Sequence, residues 1–159
     1  MNRTVEGDLG MRYSLTHVYE QIPGSDNPEN EYMQQVKAWV ELCTARPDTL
    51  AAPGSEEEKL EEFLGRSAVS MAVERHCGRI ADVFTPLGLM HTQEGKDLMN
   101  VPSVIGIGGV LRNSRRPEEI LKGSLYDFMH PECTKPRKPK FYLDQKYIFA
   151  SMGLLRSIN

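Results

Sequence analysis

Gly106, Gly108 and Gly109 interrupt the apolar run Val104-Ile105-Gly106-Ile107-Gly108-Gly109-Val110-Leu111, and their spacing is the strongest chemical signal in the sequence. Glycine has no Cβ, so backbone at these positions can lie flat against a ligand such as a nucleotide. The Val and Ile residues suit a strand covered on both faces that runs straight into the glycine turn. The run is not the dinucleotide-binding fingerprint, because it lacks a third, offset glycine and an acidic residue at the required distance. Nor is it a phosphate-cradling P-loop, since no Gly-Lys-Ser/Thr closes it. A tight strand-to-helix crossover would use the same glycines for geometry alone.

Two other groupings could carry chemistry. His76-Cys77 and His130-x-x-Cys133 supply ligands that would make a zinc site if they met in space. Neither has paired Cys-x-x-Cys spacing, so no metal is expected. Lys135-Pro136-Arg137-Lys138-Pro139-Lys140 has the charge to bind phosphate or an acidic partner. Its prolines favour an extended, solvated loop instead. No nucleophile–base pair stands out, which argues against a small self-contained enzyme.

The elements that must position these residues follow from pattern. A chain of 159 residues supports one domain with its own core. Its net charge of −3 argues against a nucleic-acid-binding surface. Three scattered cysteines imply no disulfide framework and suit a reducing cytoplasm. No long apolar run points to a membrane span or a secretory leader.

Residues 3–7 and 11–15 read as short extended pieces. Asn27 reads as a helix N-cap followed by Pro28, with Met33, Val36, Val40 and Cys43 at helical spacing until Arg46-Pro47. Ser55-x-x-Glu58 is a capping box for a second helix, with a buried stripe of Leu60, Phe63, Leu64, Ala68 and Met71. Gly65 is placed to break that helix, and Gly78 to end it in a left-handed turn. Residues 80–85 and 89–93 flank Pro86-Leu87-Gly88 as a hairpin. The glycine strand follows over 103–111, then a helix from Pro117 to about Tyr126. A strand over 141–143 and a helix over 144–155 close the chain.

With those elements in order, the residues resemble a known family. RTVEGDLGMRYS at 3–14, AVERHCGRI at 72–80, GKDL at 95–98, VIGIGGVLRNS at 104–114 and FYLDQKYIFASMGLL at 141–155 are similar to the C-terminal half of the glutamate mutase accessory protein. This is the GlmL family, often labelled MutL and unrelated to the mismatch-repair protein of that label. The resemblance covers nearly the whole chain.

It implies an α/β fold, namely a ribonuclease-H-like lobe of an actin-like ATPase with a mixed sheet and flanking helices. Residues 1–159 would then be a single domain, the C-terminal lobe, incomplete at its N-terminal side. The implied cofactor is ATP or ADP with Mg²⁺, bound by the full-length protein, and the implied partner is a cobalamin-dependent mutase subunit. The implied role is an ATP-dependent reactivating chaperone for glutamate (methylaspartate) mutase. A nucleotide-independent domain that docks on the mutase is the alternative.

The family's adenosine loop matches Gly106, Gly108 and Gly109, with Ile107 where a small or hydroxyl residue is usual. Both phosphate loops of such ATPases are missing, so this chain alone is not expected to hydrolyse ATP. The resemblance puts Glu6, Asp8 and Arg12 just after the second phosphate loop, where they could orient a Mg²⁺-bound water or clamp a γ-phosphate. An ordinary polar turn explains them equally. Glu74 or Arg75, near a helix C-terminus, could reach the purine or ribose. For Arg75 the attraction of a cation to that helix end is a sufficient structural account.

Overall fold

The computed structural model describes residues 5–149 and 152–153. Three helices open the chain: α1 (Leu15–Glu20), α2 (Glu31–Ala45) and α3 (Glu56–His76). Then come β1 (Arg79–Thr85), β2 (Gly88–Glu94), β3 (Ser103–Gly106), α4 (Gly109–Asn113), α5 (Pro117–Leu121), a 3₁₀ turn at Lys122–Ser124 and β4 (Lys140–Leu143). The result is a mixed α/β arrangement with two small sheets and flanking helices.

Two apolar cores lie along α3. The first joins α1, α2 and the early part of α3 through Leu15, Val18, Val36, Trp39, Cys43 and Leu64. The second is smaller, with Leu111, Ile120 and Leu121 packed against Val104, Phe141 and Leu143 of the parallel pair β3–β4. Ser55 caps α3 by accepting from the Glu58 amide at 3.3 Å. The helix then runs through Gly65 without a break. That glycine serves close approach, since a Cβ would sit 3.3 Å from both Ile120 Cγ2 and Val110 Cγ1.

Several local expectations need correction. The helix expected from Asn27 begins three residues later, with Asn30 accepting from the Met33 amide at 3.2 Å. Asn27 turns the chain instead, its side chain accepting from the Glu29 amide. Residues 11–15 form turns and the start of α1, because Leu15 and Val18 belong to the helical core. The extended piece over 3–7 lies partly outside the described residues.

Gly78 is not a left-handed stop. It lies where a Cβ would meet the Glu94 carbonyl oxygen at 2.4 Å, beside the base of the hairpin. The glycine strand is shorter than expected and is not covered on both faces, for Ile105 remains 41% exposed. The helix expected from Pro117 to Tyr126 tightens into the 3₁₀ turn after Leu121. Asp144 does not begin a helix directly; its carboxylate accepts from the Ile148 and Phe149 amides at 3.2 and 2.8 Å. The remainder of that expected helix lies partly outside the described residues.

The basic loop is not uniformly solvated either. Cys133, Thr134, Lys135 and Pro136 are buried, and Lys135 is 1% exposed. Thr134 accounts for this, pairing its amide with Gly78 and its hydroxyl with the Gly78 and Lys96 carbonyls. Proline pattern alone could not reveal that anchor.

Candidate functional site

Two of the segments singled out in the sequence meet at one cleft. It has a volume of about 940 Å³ and lies between the loop 6–14 and the turn 107–109. Its floor is α3, where Gly65, Ala68, Val69 and Ala72 stand at i, i+3, i+4 and i+7. Small side chains on that face leave depth above the helix. Leu9, Met11 and Leu50 line one side, and Ile107 and Val110 the other.

The three glycines occupy different positions. Gly106 is buried outside the cleft lining, where a Cβ would approach Leu111 Cδ1 and Leu121 Cδ2 at 2.8 Å. Gly108 lines the cleft and starts α4 with φ +142° and ψ 160°, a conformation essentially confined to glycine. Gly109 also lines it, and a Cβ there would meet nothing within 4 Å. Ile107 is turned to the cleft, at 50% exposure, and not into the core.

The polar candidates pair in a way the sequence did not suggest. Arg75 reaches Asp8 with two parallel hydrogen bonds, Nη1–Oδ1 at 2.8 Å and Nη2–Oδ2 at 2.9 Å. It also donates to Glu6 Oε2 at 2.7 Å and to the Gln21 side-chain oxygen. These contacts hold the Asp8 carboxyl down at about 2, chiefly through the Arg75 hydrogen bond. Arg12 donates to the carbonyls of Met11, Pro47 and Thr49 and to Glu61 Oε1. It thereby fixes the far wall of the cleft to α3. Glu74 faces elsewhere, toward Arg79 at 3.4 Å and Lys135 Nζ at 3.7 Å.

The His and Cys residues weighed as metal ligands play other parts. Cys77 and Cys133 are buried free thiols, and burial pushes Cys133 up to about 11. No group of three or more His, Cys, Asp or Glu could hold a metal among the described residues.

Sequence reasoning missed the burial and distant partners of three glutamates on α3, among them the Glu58 read only as part of a capping box. Glu58 accepts from the Gly54 and Arg115 amides and from Arg115 Nε, Glu62 pairs with Arg116, and Glu61 with Arg12. The backbone donors of Arg115 and Gly54 draw the Glu58 carboxyl down to about 2. The signal available was charge complementarity between the acidic run 56–62 and the basic run 112–116. Asp48 and Asn113, on the cleft rim, were also missed.

The cleft belongs to a mixed α/β domain and combines an apolar floor with a polar rim, the general character of a small-ligand pocket. The chain belongs to the MutL protein family, whose profile matches residues 1–159. It is 43% identical over 156 residues to Protein MutL of Clostridium tetanomorphum, covering 96% of this chain and 33% of that protein. The chain thus spans about one third of the length of the curated relative it matches. No solved structure matches it.

Proposed function

We propose that this chain supplies the adenosine-contacting lobe of an ATP-dependent accessory protein that reactivates a cobalamin-dependent glutamate mutase. Membership of the MutL family supports the association with a glutamate mutase. The observation that carries the nucleotide reading is the convergence of Gly108 and Gly109 with the loop 6–14 over the small-residue floor of α3. A flat base and sugar fit such a surface, because no Cβ stands between ligand and backbone at the glycines. In this reading the fold is an actin-like ATPase lobe and the whole protein acts in the cytoplasm.

The phosphate and Mg²⁺ end of ATP does not fit the described residues. Asp8 and Glu6 are engaged by Arg75, and Arg12 is engaged by three carbonyls and Glu61. This chain alone therefore supports nucleoside contact and not hydrolysis.

The β1–β2 hairpin favours a second, docking role. Its base is tied to the body by the Arg79–Cys133 bridge and the Ile80 amide on the Glu132 carbonyl, while at its tip Phe84 and Leu87 are 85% and 94% exposed. An apolar hairpin tip of this kind suits a protein partner, which in the docking alternative is the mutase itself.

Amide NMR of the ¹⁵N-labelled chain during titration with ADP to millimolar concentration tests the nucleotide reading. Saturable shifts at Gly108, Gly109 and the α3 floor are expected. A flat titration at those residues would leave docking as the only reading standing.

A further inference from the structure

We propose that the cleft selects the uncharged nucleoside end of its ligand and discriminates against phosphate. Adenosine then binds this chain more tightly than AMP, and AMP more tightly than ADP. The inference rests on the nucleotide reading above and assigns the chemistry this part of the site prefers.

The charged residues that line the cleft are Glu6, Arg12 and Asp48. Arg12 makes four hydrogen bonds within the protein, one of them to the Glu61 carboxylate. Its charge is thereby balanced and its fork turned into the wall. Glu6 keeps its carboxylate at the cleft, with one oxygen held by Arg75. Arg75 is not part of the lining, and its guanidinium is taken up by Glu6, Asp8 and Gln21. Asp48 is exposed on the rim and makes no hydrogen bond or ion pair among the described residues.

A phosphate entering here meets two carboxylates and a guanidinium already neutralised by a third. It loses water and gains no charged donor among the described residues, so each added charge weakens binding. A purine and its sugar meet the opposite situation. The α3 floor and the Leu9, Met11 and Val110 walls are apolar, and neutral hydroxyls can use the rim oxygens of Asp48 and the amide of Asn113.

The test is a set of parallel amide NMR titrations of this chain with adenosine, AMP and ADP, without Mg²⁺, at low salt and again in high salt. The expected dissociation constants rise about threefold with each phosphate at low salt and converge at ~0.5 M salt, where exposed charges are screened. Asp48→Asn, an exposed and unpaired position, is expected to move the ADP-to-adenosine affinity ratio about two- to fivefold toward ADP. ADP binding more tightly than adenosine, or a ratio unmoved in Asp48→Asn, overturns the selectivity while leaving a nucleotide site in place. An absence of shifts with all three ligands overturns the nucleotide reading, and this inference with it.

Discussion

Arg75, near the end of α3, grips Asp8 through its two terminal guanidinium nitrogens at 2.8 and 2.9 Å. The pairing ties the first described loop to a helix far along the chain. It also converts two separately suspected ligand groups into one internal clamp, so both sides are satisfied before any ligand arrives.

The clamp has an acid limit. Asp8 is drawn from an ordinary 3.8 to about 2, and Glu58 from 4.5 to about 2, so both depressed values favour the folded state. That stabilisation is complete above the unfolded values and is lost as pH falls from about 4.5 toward 2. Thermal melts followed by the fluorescence of Trp39 should show a steep loss of Tm across this window. Arg75→Ala should flatten the part due to Asp8 and leave the part due to Glu58.

The three glycines should respond differently to alanine. Gly106→Ala should cost about 1–3 kcal/mol by forcing a methyl against Leu111 and Leu121. Gly108→Ala should cost a similar ~1–3 kcal/mol for a different reason, backbone strain at φ +142°. Gly109→Ala should stay within ~0.5 kcal/mol of the parent while perturbing ligand contact. Urea unfolding curves measure all three, and equal costs across the series would refute this division of roles.

Buried Lys135 donates to Ser70 Oγ at 3.0 Å and lies 3.7 Å from a Glu74 oxygen. Lys135→Met keeps the length of the side chain and removes the donor and the charge. The expected loss is about 1–3 kcal/mol by chemical denaturation. No loss would mean that the stem's packing alone accounts for its burial.

Glu58 serves two backbone amides besides a guanidinium, whereas Arg115 is 61% exposed along its side chain. Removing the acceptor strands two donors; removing the guanidinium strands none. Glu58→Ala should therefore lower Tm more than Arg115→Ala, as differential scanning calorimetry can show. The reverse order would place the stabilisation in the surface charge pair.

Much of the framework was legible where a local rule and the tertiary fold agree. The Ser55 N-cap, the stop at Arg46-Pro47 and the turn at Pro86-Leu87 are such places, although Glu58 accepts from the Gly54 amide and not from that of Ser55 as a full capping box requires. What the sequence hid was set by partners distant along the chain. Gly65 reads as a breaker locally, yet its missing side chain lets Ile120 and Val110 approach α3. Lys135 reads as a solvated cation, yet Thr134 draws the segment inward through Gly78 and Lys96. At the cleft, the glycine turn was readable because glycine carries its own meaning. Arg12 and Arg75 were suspected as ligand groups, but their engagement was not readable, because a side chain's partner is a fact of the fold.

Since both cores are built on α3, the cleft between them has a spine. Its floor is a continuous 21-residue helix, held at several points by ion pairs to the segments on either side. A wider opening therefore requires the loop 6–14 or the turn 107–109 to swing, while the spine stays straight. Any ligand that draws the walls together will be felt first where those two segments are fastened, at Glu61 and near Glu62. The helix is thus the reference frame against which opening of this molecule can be measured.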